Sequence, residues 1–323
     1  MTTKTMIAAP RHFAGDADVE PICSLLNACD AVDKVDDNYA VEDLRLEFES
    51  PELDTARDLR LWEAENGRLL GFGQTWVPTS REYADVFTYV RVHPDARGLG
   101  LESEIMAWCE ERAREVAAER KLPGRLFGRT RDYDAYGRGL LEEQGYQLVR
   151  YFFLMKRPLN EPIAEPQFPE GFTMRHAEGE GDDERWVEMF NLSFIDHWNH
   201  HPMDLEGHMH WLSSPKYNPE RNLIALASDG TFAAFCFCWI DPDDNARNDR
   251  NEGWIDILGT RRGYRKIGLG RAMLLAGLHR LKADGVEVAK LGVDAENPTG
   301  ALRLYESVGF YKEHTNVAYC KEL

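Results

Sequence analysis

The spacing of hydrophobic residues along the chain changes between helical and strand periods, and the same order occurs twice. In the first half the spacing predicts helices at 22–29, 41–49, 103–119 and 136–144, with strands at 59–64, 69–76 and 86–92 and a strand pair within 147–156. In the second half it predicts helices at 184–194, 205–212, 271–283 and 299–307, with strands at 223–227, 232–240, 254–260 and 286–294 and a last strand from 310.

A glycine-rich turn joins the predicted strand at 254–260 to the helix at 271–283. We name residues 259–272, Gly-Thr-Arg-Arg-Gly-Tyr-Arg-Lys-Ile-Gly-Leu-Gly-Arg-Ala, the glycine loop. Such a turn leaves backbone N–H groups without helical partners, and together with the helix dipole they attract an anion. Gly268 and Gly270 carry no Cβ, so a phosphate can approach the backbone closely.

Five basic residues stand in this loop although the whole chain has a formal net charge of −18. They are Arg261, Arg262, Arg265, Lys266 and Arg271. The loop therefore predicts a docking site for a compact polyanion, and the alternative is a plain strand-to-helix connection with solvated basic side chains. It is not a Walker loop, because no Gly-Lys-Ser/Thr follows, and Met273 stands where a dinucleotide fingerprint needs glycine.

The two halves of the chain align with each other. At an offset of 168 Arg97 falls on Arg265, and at an offset of 164 Leu141 falls on Tyr305. A shared order of elements at nearly constant offsets predicts a duplicated domain. Four prolines between residues 156 and 171 predict a linker. We expect an N-terminal domain at 1–157, a linker at 158–170 and a C-terminal domain at 171–323.

Composition narrows the class of protein. With 323 residues, of which 43 % are hydrophobic, the chain can fill two domain cores. It has no long apolar run and its start lacks the layout of a signal peptide, so we expect neither a membrane span nor a leader. Six cysteines without metal-ligand spacing favour free thiols in a reducing, cytoplasmic compartment. The acidic balance argues against a nucleic-acid partner and suits a cationic acceptor such as an amine.

The glycine loop resembles the acyl-CoA pyrophosphate loop of the GNAT N-acetyltransferases, Arg/Gln-x-x-Gly-x-Gly/Ala, which here reads Arg265-Lys-Ile-Gly268-Leu-Gly270. The segment 297–310, Asn-Pro-Thr-Gly-Ala-Leu-Arg-Leu-Tyr-Glu-Ser-Val-Gly-Phe, is similar to the close of that family, where an Asn and a Tyr flank the cofactor tail. The resemblance covers the chain apart from the linker. It implies an α/β (α+β) fold of two tandem GNAT domains, each with a mixed, mostly antiparallel sheet flanked by helices, as in the mycothiol synthases.

The same resemblance implies acetyl-CoA as co-substrate and a set of contacts to it. The implied cofactor-binding residues are Leu258, Thr260, Arg265, Lys266, Ile267, Gly268, Leu269, Gly270, Arg271 and Asn297. The loop after the first helix of the second half would wall the acceptor cleft, which makes His197 and Trp198 candidate substrate contacts. Trp254, on the strand before the glycine loop, is a third candidate. The histidines near 197–210 do not have the spacing of a helical metal pair, so we expect no metal site.

Amide formation from a thioester needs a neutral amine, oxyanion stabilisation and a proton for the departing thiolate. Asp256 is the candidate base, because strand alternation places it on one face with Trp254, Leu258 and Thr260. Glu252 and a chain of water molecules are the alternative bases. Tyr305 matches the family's acid position, and a phenol stays protonated at neutral pH. Packing on a buried helix face is the alternative role for this tyrosine.

The first half provides an internal comparison for these candidates. At the positions of Gly270, Asp256, Tyr305 and Asn297 it has Glu102, Thr88, Leu141 and Tyr133. Between 92 and 103 Arg97 stands against two acidic residues. We therefore predict a degenerate, structural or substrate-shaping N-terminal domain and a catalytic C-terminal domain.

The sequence favours a cytoplasmic acetyltransferase that transfers acetyl directly from acetyl-CoA to the amine of a small molecule. No cysteine stands at a matched catalytic position, so we expect no covalent enzyme intermediate. The expected partner is the small-molecule amine, with no nucleic acid and no membrane, and the sequence gives no oligomeric state. Two alternatives stay open: a non-catalytic acyl-CoA-binding sensor or scaffold, and mycothiol-synthase-like acetylation of a thiol-sugar amine.

Overall fold

A computed structural model describes residues 10–79, 82–179 and 181–323. The chain divides into two compact units. The first unit consists of Met1–Arg150 with Asn316–Leu323, and the second of Tyr151–Thr315. Each unit places helices against a mixed, mostly antiparallel sheet, which confirms the predicted fold class.

The first unit has its helices on a six-stranded sheet. The helices are α1 (Val19–Asp33), α2 (Val41–Phe48), α3 (Thr55–Asp58), α4 (Leu101–Arg120) and α5 (Ala135–Glu143). The strands are β1 (Arg11–His12), β2 (Leu59–Glu63), β3 (Leu69–Trp76), β4 (Ala84–Val92), β5 (Gly124–Arg131) and residues 316–322 of β12 (Tyr311–Glu322). Their order is β1-β2-β3-β4-β5-β12, and only the β4–β5 pair is parallel.

The second unit repeats this plan. Its helices are α6 (Asp183–Phe194), α7 (Leu205–Leu212), α8 (Pro242–Arg247), α9 (Leu269–Ala283) and α10 (Ala301–Glu306). Its strands are residues 151–158 of β6 (Gln147–Pro158), β7 (Thr173–His176), β8 (Asn222–Leu226), β9 (Phe232–Trp239), β10 (Glu252–Thr260) and β11 (Val288–Asp294). Their order is β6-β11-β10-β9-β8-β7, and only the β10–β11 pair is parallel.

Two apolar layers hold each sheet between helices. In the first unit α1 and α2 pack with Ile22 and Phe72, while α4 and α5 pack on the other layer with Leu126. In the second unit α9 packs on a layer that contains Cys236, and α6 and α7 pack on a layer around Phe235. Burial on both faces explains why these strands are apolar along much of their length. In the part of the chain that the structure describes, no helix is long and apolar enough to cross a membrane.

The structure differs from the predicted elements in a few places. The predicted strand pair within 147–156 is the single strand β6, because residues 152–158 pair with β11 without interruption. The short elements β1, α3, β7 and α8 were not predicted, since two to six residues carry too little periodicity. The predicted linker at 158–170 falls inside the second unit. Residues 151–157, predicted for the first domain, also lie in the second unit, and residues 316–323 lie in the first.

The terminal strand segment supplies a test of this division, because Tyr319 is 1 % exposed in the core of the first unit. Its hydroxyl donates to Glu142 Oε1 at 2.7 Å. Truncating a buried aromatic side chain typically costs about 3–5 kcal/mol. We expect Tyr319→Ala to destabilise the first unit by about that amount and to speed amide hydrogen exchange across 124–131. Tyr311→Ala, at a site 49 % exposed on the same strand, is the control. Equal protection in both variants would contradict the division.

Candidate active site

The glycine loop connects β10 to α9 with an unusual backbone. Lys266 has φ +65° and Gly268 has φ +92°, both in the left-handed region. Gly268 is the N-cap residue of α9, and no side chain caps that helix. The first N–H groups of α9 therefore stay available for an anion, as the sequence predicts. Gly268 suits its φ, whereas a lysine at 266 is strained there.

Part of the loop's positive charge is already neutralised by Asp196. Its carboxylate accepts from Arg265 Nη1 at 2.6 Å and from the guanidinium of Arg262. Arg265 also donates to the carbonyl oxygens of Thr260 at 3.0 Å and Ser193 at 2.8 Å. These two arginines hold the pKa of Asp196 below its usual value, so it stays ionised. Arg265 is therefore a fixed structural link, and Arg262 is the more exposed arm of the pair.

The other basic residues of the loop differ in what they contact. Arg261 forms an ion pair with Glu188 at 3.1 Å, and Arg271 donates to Ser307 Oγ at 2.6 Å. Within the described residues Lys266 alone of the five has neither an ion pair nor a hydrogen bond. The alternative of five solvated basic side chains does not describe the loop, because three of them are paired with acids. The loop therefore offers an anion its backbone N–H groups more than unpaired positive charge.

A cleft opens where β10 and β11 part. The two strands pair only from Glu252–Val288 to Trp254–Lys290, although both continue beyond that point. Gly292 lies on β11 in the diverging part, and a Cβ built there meets no atom within 4 Å. The parallel pair therefore ends early and leaves open space next to the strand that leads into the glycine loop.

A β-bulge lies on β10 at the start of this cleft. Ile255 pairs with Cys238 and Ile257 pairs with Phe237, so Asp256 is an extra residue without a partner of its own on β9. A bulge increases the local twist and re-aims side chains, and bulges are common next to active sites. Nothing in the hydrophobic pattern marks this insertion, so the sequence did not predict it.

The bulge changes which residues share a face of β10. Ile255 and Leu258 both pack in the α9 core, whereas Ile257 packs with the α6 layer. Trp254, next to Ile255, points away from α9 by alternation. The predicted common face of Trp254 and Leu258 is therefore wrong, because one inserted residue reverses the alternation.

Asp256 is the free carboxylate of this region. By surface area its side chain is exposed, yet surrounding protein raises its pKa to about 6. Both observations suit a carboxylate on the floor of an open cleft. In the described part of the chain it has no hydrogen-bond or ion-pair partner. Glu252, the alternative base, is bound instead by Lys290 Nζ at 2.6 Å.

Tyr305 lies on α10 and is 8 % exposed. Its ring contacts that of Phe310 edge-on at 6.2 Å, and burial raises the pKa of its phenol. Tyr305 lies in the same apolar core as Cys236 and Cys238 of β9.

The candidate substrate and cofactor-tail residues have mainly local contacts. His197 Nδ1 lies 3.0 Å from the carbonyl oxygen of Trp198, whose ring is 5.9 Å from that of Phe152. Asn297 Oδ1 accepts from the N–H of Thr299 at 2.8 Å, which fixes the turn before α10. In the residues that the structure describes, no group of three or more potential metal ligands occurs.

The first unit carries the same loop with an anion of its own. Gly98 and Gly100 have φ +71° and +95°, close to the values at the matching positions of the glycine loop. Glu102 Oε1 accepts from the N–H of Gly98 at 2.8 Å and from Tyr136 Oη at 3.1 Å. The carboxylate thus occupies a backbone N–H group of this loop. The sequence indicated Glu102, whereas Tyr136 as its second partner was not predicted.

The strand before that loop has no bulge. Thr88 pairs with Thr75 in an unbroken register with β3. Counted back from the start of each loop along the register, Thr88 corresponds to Ile255. The predicted match of Thr88 with Asp256 is therefore wrong, and Asp256 has no counterpart in the first unit.

Comparisons with known proteins agree with this fold. Residues 21–146 and 184–310 each match the Acetyltransferase (GNAT) family. A mycothiol acetyltransferase of Thermobispora bispora is 31 % identical over 228 residues, which covers 71 % of this chain and 73 % of the relative. The crystal structure of a GCN5-related N-acetyltransferase from Sphaerobacter thermophilus aligns with TM-score 0.72 at 27 % identity, over 97 % and 95 % of the two chains. A tandem GNAT protein from the clavulanic acid biosynthesis pathway shares the fold, with TM-score 0.71 and 14 % identity over 98 % of each chain.

The pKa of Asp256 predicts a stability effect with a definite sign. Because the folded state raises this pKa to about 6, the stability that this group contributes is present at low pH and is lost as the pH rises through about 6. Asp256→Asn is uncharged at every pH. We expect its Tm to exceed that of the wild type above pH 6 and the difference to shrink toward about pH 4.

Asp229→Asn is the control, since hydrogen bonds from Thr231 lower the pKa of Asp229. We expect the loss of this carboxylate charge in Asp229→Asn to lower the Tm at neutral pH. Thermal unfolding across pH measures both variants, and an Asp256→Asn Tm equal to or below wild type at pH 8 contradicts the cleft assignment.

Proposed function

The chain belongs to the acetyltransferase (GNAT) family, and we propose that its Tyr151–Thr315 unit transfers acetyl from acetyl-CoA to the amine of a small molecule. The protein is an acetyltransferase with acetyl-CoA as its co-substrate. The unit that reacts, the residues that act and the acceptor are the proposal.

One observation carries the assignment to the second unit: Asp256 stands unpaired on the bulge where β10 and β11 part. The adjoining loop keeps Gly270 and an uncapped α9. In the first unit the loop is filled by Glu102 and the bulge is missing. Loop and carboxylate therefore coincide in one copy of the domain only.

We propose Asp256 as the general base. An alkylamine with a pKa of about 10 is mostly protonated at neutral pH, so a proton must leave before nitrogen attacks the thioester carbonyl. A carboxylate with a pKa of about 6 is ionised at pH 7 and still basic enough to take that proton, directly or through one water molecule. Glu252 is a weaker candidate, because Lys290 already holds its charge.

We propose Tyr305 as the general acid. When the tetrahedral intermediate collapses, the carbon–sulfur bond breaks and the CoA thiolate takes a proton. Burial keeps the phenol protonated, and its hydroxyl has no hydrogen-bond partner among the described residues. It is therefore free to donate to sulfur. N–H groups at the start of α9, with Lys266 beside them, would hold the pyrophosphate.

The acceptor is proposed as a cationic amine. The ionised Asp256 attracts a protonated amine into the cleft, and aromatic side chains such as Trp198 and Trp254 offer it cation–π surfaces. The similarity to a mycothiol acetyltransferase favours a second candidate, acetylation of a thiol-sugar amine. Assaying both acceptor classes at fixed acetyl-CoA separates these candidates.

Substitution of the acid and base tests the mechanism. General acid–base groups typically contribute about 10²–10⁴-fold, so we expect Tyr305→Phe to lower kcat in that range with little change in the KM for acetyl-CoA. Asp256→Asn should lower kcat/KM similarly and remove the acidic limb near pH 6 from the pH–rate profile. Tyr146→Phe, a buried tyrosine of the first unit, is the matched control and should keep wild-type kinetics. If Tyr305→Phe keeps the wild-type kcat, Tyr305 is not the general acid and its role is packing on α10.

Calorimetry of acetyl-CoA binding tests which loop is used. We expect one tight site per chain. Gly270→Glu introduces the carboxylate that Glu102 provides in the first unit, so binding should be abolished while the fold survives. Gly270→Ala adds only a Cβ, 3.1 Å from Thr260 Oγ1, and should bind more weakly than wild type but far better than Gly270→Glu. Two equivalent sites in the wild type, or full binding by Gly270→Glu, would refute the assignment.

A further inference from the structure

Asn191 on α6 holds the main chain of Met203, which lies twelve residues further along. Its Nδ2 donates to the carbonyl oxygen of Met203 at 2.8 Å, and its Oδ1 accepts from the N–H of the same residue at 2.9 Å. Hydrogen bonds to both main-chain polar groups fix the position and the orientation of that residue. We name residues 196–203 the acceptor segment, because it contains the candidate acceptor contacts His197 and Trp198. Asn191 fastens the end of this segment to α6.

The start of the acceptor segment is fastened as well. The carboxylate of Asp196 accepts from Arg265 Nη1 at 2.6 Å and from the guanidinium of Arg262. The segment is therefore a loop that is held at both ends, by the glycine loop at residue 196 and by α6 at residue 203. Holding both ends limits the arrangements open to the residues between them.

One turn of α6 contacts the glycine loop and the acceptor segment together. The carbonyl oxygen of Leu192 accepts from the N–H of Arg262 at 3.4 Å. The carbonyl oxygen of Ser193 accepts from Arg265 Nη2 at 2.8 Å. These two residues directly follow Asn191, so the turn that receives the glycine loop also carries the side chain that holds the far end of the acceptor segment. This turn sets the position of the segment relative to the glycine loop.

We propose that Asn191 is a positioning residue for the acceptor. It acts through the acceptor segment, which it keeps in one place relative to the glycine loop. This inference rests on the proposed function, in which acetyl-CoA lies on the glycine loop and the amine on the acceptor segment. A segment freed at one end spends part of its time out of place. The apparent affinity for the amine then falls with the fraction of molecules in the binding-competent arrangement.

The residues between the two fastenings carry rings that suit a cationic amine. The N–H of His197 donates to the carbonyl oxygen of Phe194 at 2.8 Å. The ring of Trp198 lies 5.9 Å from that of Phe152, and its aromatic face attracts an ammonium group. Burial lowers the pKa of His200, so this imidazole is uncharged at neutral pH and does not repel a cation. A shift of the segment at residue 203 moves these rings with it.

The first unit repeats both fastenings. Asn27 Nδ2 donates to the carbonyl oxygen of Tyr39 at 2.9 Å, and Asn27 Oδ1 accepts from the N–H of Tyr39 at 3.0 Å, again across twelve residues. Asp33 forms a two-pronged ion pair with Arg97, at 2.6 and 2.7 Å. The fold thus places the same pair of hydrogen bonds in the unit to which the proposed function assigns no reaction. Asn27 therefore matches Asn191 in structure and differs from it in function.

The middle of the segment differs between the units. In the first unit Asp37 forms ion pairs with Arg91 of β4 at 3.3 Å and with Arg131 of β5 at 3.0 Å. Arg131 also donates to the carbonyl oxygen of Val35 at 3.0 Å. These contacts tie the middle of that segment to its own sheet, whereas the acceptor segment has the rings of His197 and Trp198 there. The fastenings are shared and the side chains between them are specific to each unit.

Kinetics of the full chain with two probe amines, tyramine and glucosamine, test the inference. At saturating acetyl-CoA we expect Asn191→Ala to raise the KM for the better probe by about five-fold or more, the worth of two ordinary hydrogen bonds, with kcat nearly unchanged. The calorimetric Kd for acetyl-CoA should stay near the wild-type value, because Asp196 still holds the glycine loop. Asn191→Asp keeps the acceptor for the N–H of Met203 and loses only the donor, so its KM should rise less.

Asn27→Ala is the matched control, since it removes the same pair of hydrogen bonds from the first unit. It should keep the wild-type KM for the amine. Thermal unfolding shows that each variant folds, and amide hydrogen exchange across 196–203 should be faster in Asn191→Ala than in the wild type.

The outcomes separate this inference from the proposed function. If the wild type acetylates a probe and folded Asn191→Ala keeps its amine KM, the inference is wrong and the proposed function stands. An equal rise in KM in Asn191→Ala and Asn27→Ala also overturns the inference, because the effect is then one of general stability. A rise in Asn27→Ala alone contradicts the assignment of the reaction to the second unit. A wild type that acetylates neither probe contradicts the proposed function, and the inference falls with it.

Discussion

The early end of the parallel strand pair is the constraint on which the rest of the molecule depends. In each unit the two central parallel strands share only three or four register pairs before they diverge. Unpaired strand edges inside a folded domain must have something to bind or something to fill them, because buried backbone polar groups without partners are costly. A fold with such a gap supplies a cleft in its centre, and the side chains beside it decide what the cleft accepts.

The two units have different side chains beside this gap. The second keeps glycine at 259 and 292, and its loop keeps glycine at 270. The first has arginine at 91 and 129, and Glu102 sits on its loop. The two loops share positive φ values, at Gly98 and Gly100 in the first and at Lys266 and Gly268 in the second, whereas β10 carries a bulge that β4 lacks. Duplication preserved the frame and changed the chemistry.

The sequence predicts the fold well and the site in part. Long periodic segments such as 69–76 and 205–212 have the predicted bounds, and the repeat is visible from the offsets between the halves. The bulge at Asp256 could not be predicted, because β10 has apolar residues on both faces. One extra residue in such a strand does not visibly break the hydrophobic pattern. The extent of each unit also lies beyond sequence pattern: pairing of 152–158 with β11 and of 316–322 with β5 depends on hydrogen bonds distant in sequence. The ion pairs of the glycine loop could not be predicted for the same reason. Glu188 and Asp196 lie some 70 residues from the arginines that they bind.

The ion pairs of Asp196 connect the glycine loop to the segment that contains the proposed acceptor contacts. Asp196 precedes His197 and Trp198 in the chain and holds two arginines of the glycine loop. Any phosphate that draws Arg262 toward itself must compete with Asp196, whereas Arg265 is also held by two backbone carbonyl groups. The cost of that competition lowers the contribution of each arginine to cofactor affinity. Because Asp196 adjoins the proposed acceptor wall, a cofactor that displaces Arg262 alters the support of that wall as well. Under the proposed function, cofactor and acceptor binding would then be coupled through one carboxylate, without any need for a larger rearrangement.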